Sequence, residues 1–158
     1  MQQRTLPLPA VLAPGLIAGL TGAVTMDAYL IVVLVFGTHA VTLTGFYQYI
    51  ASGAIGTAAY EGTSGAALGA ALHLAIGAAW GVGYAYAAAR TPQVLARPLI
   101  SGIAFGFVVM LAMQLVEVAA NIYRLPDTFA LANGFIAHTV FFGIPIAYIV
   151  RSRLAPSR

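Results

Sequence analysis

Charged side chains are so sparse along this chain that long apolar runs are its dominant pattern. Four such runs, at about residues 11–35, 65–88, 99–118 and 129–150, each approach the ~20 residues an α-helix needs to cross ~30 Å of hydrocarbon. Apolar and polar positions do not alternate with period two inside them, so barrel strands do not fit. Helices fit, because a helix satisfies each backbone N–H and C=O within its own segment where there is no water. The pattern predicts an all-α, integral membrane four-helix bundle, one transmembrane domain over residues 1–158. The first run is longer than the ~7–15 residues of a signal-peptide core and is read as a retained helix.

Residues 37–64 are polar at both ends, with Phe46, Tyr47, Tyr49, Ile50, Ile55 and Tyr60 between them. Aromatic rings settle at headgroup depth. A short amphipathic or re-entrant helix around Thr44 to Ser52, broken by Gly53 and Gly56, is therefore expected at the outer interface. An anchor is its simplest role, although a loop this long on a small bundle also suits a functional one.

Composition sharpens the picture: 61% of residues are hydrophobic and 7% charged, against roughly a quarter charged in soluble domains, which excludes a water-facing surface. All the basic residues are arginines. Arg4 precedes the first run, Arg90 and Arg97 separate the second from the third, and Arg151, Arg153 and Arg158 follow the fourth. Arg124 alone falls on the other side. Positive residues collect in cytoplasmic loops, so both termini are expected in the cytoplasm. Arginines scattered in this way do not track phosphates, which leaves the lipid bilayer rather than nucleic acid as the expected partner. Cysteine is absent, which removes disulfides, thiolate metal sites and cysteine nucleophiles.

Small residues recur every fourth position: Gly15, Gly19, Ala23 and then Asp27; Gly65, Gly69, His73, Gly77 and Gly81; Gly102, Gly106, Met110 and Gln114; Gly134, His138 and Phe142. That spacing keeps each row on one helix face, and small faces let membrane helices approach closely. The polar members of the rows are expected inside the bundle, since an ionisable group facing hydrocarbon costs at least ~2.5–3.5 kcal/mol. With ~1.5 Å rise per residue, Asp27, His73, Gln114 and His138 fall ~10–14 Å below the outer boundary and Glu117 ~6 Å below it. Those five residues are the candidate ligand- or ion-binding set and candidate mutual partners.

Four readings of the set compete. It is a hydrogen-bonded plug that fixes helix register, worth ~0.6 kcal/mol per bond; or a proton or cation site in a small transporter or channel, with histidine as relay. It is alternatively a bis-histidine haem site in which His73 and His138 ligate iron, or a copper site joined by Met26, Met110 and Met113. Methionine in such spans is usually packing. His39 is expected in a solvated loop, Trp80, Tyr84 and Tyr86 in an inner aromatic belt, and Pro145 at a kink. No nucleophile elbow, Walker loop, His-Glu-x-x-His run or dinucleotide fingerprint occurs. A non-enzymatic accessory or assembly subunit, or a homo-oligomer, is therefore expected.

Tyr47-Gln48-Tyr49-Ile50-Ala51-Ser52-Gly53, the segment Ala66 to Ala75 with His73, and Phe141-Phe142-Gly143-Ile144-Pro145-Ile146-Ala147 after His138 together resemble a group of small bacterial inner-membrane proteins called YagU-like. The resemblance runs from about residue 12 to 151. It implies a four-helix protein of the bacterial cytoplasmic (inner) membrane and supplies no reaction, cofactor or active residue.

Overall fold

Proline punctuates every connection on one side of this chain, and the helices begin where it does. The computed structural model describes residues 7–155, which leaves Arg4 and Arg158 outside. Helix α1 (Leu8–Leu30) continues through a π-helical stretch to Gly37. After a turn come α2 (Leu43–Ile55) and a 3-10 segment to Tyr60, then α3 (Ser64–Arg90), the short α4 (Pro92–Ala96) and α5 (Pro98–Ala119). The last span starts as α6 (Thr128–Ile136), passes through a second π-helical stretch, Ala137–Gly143, and ends as α7 (Ile144–Leu154). No strand occurs among the described residues.

Four helices are long and apolar enough to cross a membrane: Pro9–Gly37, Ser64–Arg90, Pro98–Ala119 and Thr128–Leu154. At 1.5 Å per residue the shortest, of 22 residues, reaches ~33 Å, enough for the hydrocarbon core. Large apolar side chains cover their outer faces; Leu115, Phe36 and Ile100 are each more than 60% exposed. A continuous apolar exterior of this kind is stable only in lipid. The chain is accordingly a small multi-pass membrane protein.

Glycine seams hold the spans together. Gly15 and Gly19 of α1 lie against Gly81 and Gly77 of antiparallel α3, where an added Cβ would strike backbone. Gly102 and Gly106 of α5 meet Gly143 and the His138–Thr139 backbone of the last span in the same way. Gly22 brings α1 onto Ile146 and Phe142. Between α3 and α5 the backbones stay apart, and Trp80, Tyr84 and Phe105 fill the interval with ring contacts.

Two expectations need correction. Gly53 does not interrupt α2, which runs on to Ile55 and stops at Gly56, whose positive φ of 61° suits glycine. Tyr84 is no belt residue: it is 4% exposed and hydrogen-bonded to Ser101 at 2.8 Å, and Trp80 packs on the core beside it. Tyr86 is exposed, with the Arg90 guanidinium 3.3 Å from its ring centre. Pro145 falls just after the second π stretch. It has no N–H for the carbonyl four residues back, and Thr25 of α1 donates its hydroxyl to that carbonyl, of Phe141.

Candidate functional site

The α1/α3 seam sets the register of the site. Gly15 faces Gly81, Gly19 faces Gly77, and Gly77 also touches Ala23. One more step along both helices brings Asp27 opposite His73, with Oδ1 and Nδ1 2.7 Å apart. Asp27 is only 8% exposed. The approach is too bent to satisfy hydrogen-bond geometry, so the contact is an electrostatic one whose strength follows the protonation of the ring.

Farther along α3 the same row supports α2. Gly69 lies beneath the backbone of Tyr47 and Gly65 beneath Ala59, both too close for a side chain. Seated there, α2 delivers the Tyr47 hydroxyl to the second Asp27 oxygen at 3.1 Å. Burial and then the nearby Asp27 carboxylate push the Tyr47 phenol up to about 12 from 10.0. Three elements thus build one chain of contacts, Tyr47 to Asp27 to His73. The sequence marked Tyr47 only as an interfacial ring; its partnership depends on α2 folding back over α3, which no periodicity announces.

His138 stands in the second π stretch, with Nδ1 2.8 Å from the Gly134 carbonyl. A carbonyl only accepts, so Nδ1 carries the proton and the neutral ring presents the Nε2 lone pair elsewhere. His73, with Nδ1 directed at a carboxylate, has the same polarity when neutral. Both rings line one cavity of about 250 Å³ between α3 and α5, beneath α2, and lie within electrostatic reach of each other. Apolar groups, among them Met26, Trp80, Val109 and Phe142, make up most of its wall.

A second, smaller cavity of about 170 Å³ shares Met113, Glu117 and His138 with the first. Gln114, Tyr123 and Arg124 complete its polar lining. The five candidates therefore form two groups: Asp27 pairs with His73, while Gln114, Glu117 and His138 surround the smaller cavity. Glu117 faces Tyr49 of α2. Burial, followed by that carboxylate, pushes the Tyr49 phenol up to about 12.

Donors for a metal are present in part. Met26 and Met113 line the same cavity as both imidazoles, and Met110 the smaller one. No group of three or more His, Cys, Asp or Glu residues gathers at metal-ligating distance among the described residues. His39 is exposed in a turn with φ 54°, away from the site. Asn133, in α6, is 6% exposed and its carbonyl oxygen has no partner among the described residues. Compared with known proteins, the chain matches no family model, no curated protein and no solved structure.

Proposed function

We propose that this chain is a non-enzymatic binding protein of a bacterial inner membrane, with both termini cytoplasmic and α2 lying at the outer interface, that holds one small amphiphile in its adjoining cavities. The single observation that carries the reading is their junction. An apolar chamber lined by Trp80, Val109 and Phe142 adjoins, with Met113, Glu117 and His138 common to both, a more polar one lined by Gln114 and Arg124. Apolar wall with a few placed polar groups is the composition of ligand sites. Arg90, Arg97, Arg151 and Arg153 sit at one end of the bundle and Arg124 at the other, which supports the orientation. As an accessory subunit the protein would present its ligand to a larger complex or to a second copy of itself.

Native mass spectrometry of the chain released from its own membrane tests this. A single lipophilic adduct is expected on the natural chain and none on Val109→Phe, which fills the chamber; bare protein in both overturns it.

The tied Nδ1 atoms favour a second reading. Metal-bound histidines nearly always hand their other ring nitrogen to a carboxylate or carbonyl; His138 does so to Gly134, and the His73 Nδ1 lies 2.7 Å from the Asp27 carboxylate. Haem iron or, with Met26 and Met113, copper(I) would then occupy the chamber. An absorption spectrum with metal analysis distinguishes the two: a Soret band or stoichiometric metal, lost in both His73→Ala and His138→Ala, replaces the amphiphile by a metal centre.

A further inference from the structure

Arg124 forms no ion pair among the described residues and lies at the opposite end of the bundle from Arg90, Arg97, Arg151 and Arg153. Itself exposed, it lines the smaller cavity and also an open groove of about 750 Å³ beside α2, together with Tyr49, Tyr60 and Tyr123. None of the four acidic residues of the chain forms an ion pair with Arg124. Asp27 holds His73 and Tyr47. Glu117 faces Tyr49. Asp127 caps α6 by accepting from the Ala130 N–H at 2.7 Å, and Glu61 is exposed and lines none of the three spaces.

An unpaired guanidinium beside an apolar chamber calls for an anion attached to an apolar body. Arginine binds carboxylates and phosphates through parallel N–H bonds, in a geometry those groups match. Volume limits the body. A chamber of about 250 Å³ falls just below the ~300–1,000 Å³ of ordinary ligand pockets, which suits one slender chain better than two. Glu117, on the wall between the two spaces, repels an anion that moves inward and so keeps the head at Arg124.

We propose that the ligand is a single-chain anionic amphiphile, a long-chain carboxylate or phosphate monoester, with its head on Arg124 and its chain in the space between Trp80 and Val109. This rests on the binding reading above and names its ligand class.

Trp80 is the chain's one tryptophan and lines the chamber, so its fluorescence reports occupancy. The full chain in phosphatidylcholine nanodiscs, at mildly alkaline pH, is titrated with dibrominated stearate and separately with its uncharged methyl ester. Saturable quenching by the acid is expected, with the ester about tenfold weaker or more, the loss of one charge-assisted contact. Unbrominated stearate and a single-chain phosphate monoester should compete; the stronger competitor identifies the natural head. Arg124→Gln should lower the acid to the level of the ester, Arg124→Lys should keep most of the preference, and Val109→Phe should abolish both. Equal quenching by acid and ester, unchanged in Arg124→Gln but lost in Val109→Phe, would overturn the anionic head and leave the cavity reading intact. Absence of saturable quenching by either would overturn both.

Discussion

The Asp27 carboxylate and the His73 imidazole meet at 2.7 Å across the glycine seam between α1 and α3. Truncating one partner leaves the other buried without its counterpart, a change that costs about 3–5 kcal/mol where the pair is ionised. Asp27→Leu alone is therefore expected to unfold more easily in mixed micelles than Asp27→Leu combined with His73→Leu. A double variant no more stable than the single would show that the two side chains do not depend on each other.

A methyl group on Gly19 would meet the Gly77 carbonyl and Ala78, whereas one on Gly83 meets nothing within 4 Å. Gly19→Ala should destabilise by about 1–3 kcal/mol through forced separation of α1 and α3. Gly83→Ala should be neutral or stabilise by up to ~1 kcal/mol, the ordinary gain of alanine over glycine in a helix. Denaturation in detergent measures both, and equal effects would contradict the seam.

Thr25 supplies the hydrogen bond that Pro145 withholds from the Phe141 carbonyl. Thr25→Val should cost about 0.6–1.7 kcal/mol, the range of such bonds in membrane proteins. In a Pro145→Ala background, where a backbone N–H returns, the same change should cost less. The four-variant cycle reads the coupling directly.

Tyr47 and Tyr49 titrate late. Their phenols are held up to about 12, against ~10 in an unfolded chain. Each is favoured in its protonated form by the folded state, so the stability they contribute is complete below pH ~10 and is lost as pH rises from there through 12. A phenolate absorbance titration of the folded chain should show a late rise, part of it removed by Tyr47→Phe and part by Tyr49→Phe. Resistance to unfolding should fall over the same pH window in the natural chain and less in the double variant.

How much of this was legible in the sequence follows from what each signal depends on. Span length and glycine spacing are local, so the four spanning helices and the residues of the seams could be read directly, and depth put Asp27, His73, Gln114 and His138 at one level without pairing Asp27 with His73. Rotation of a helix about its axis is not local. In lipid the outward and inward faces are equally apolar, so nothing in the pattern distinguished the buried Tyr84 from the exposed Tyr86. Gln114 shared a depth with Asp27 yet turned toward Arg124 and a different cavity. The partnerships of Tyr47 and Tyr49 required α2 to fold back on Gly69, and Arg124 carried meaning in the sequence only as a topological marker.

The missing seam between α3 and α5 has a consequence of its own. On this side of the chamber no backbones meet, and side chains alone span the interval: the rings of Trp80, Tyr84 and Phe105, with the Tyr84 hydroxyl bonded to Ser101. Rotating Trp80 or Phe105 about its side-chain bonds parts this side without breaking a single main-chain hydrogen bond. A lipid tail bound as proposed would thus enter sideways from the leaflet, without passing through water.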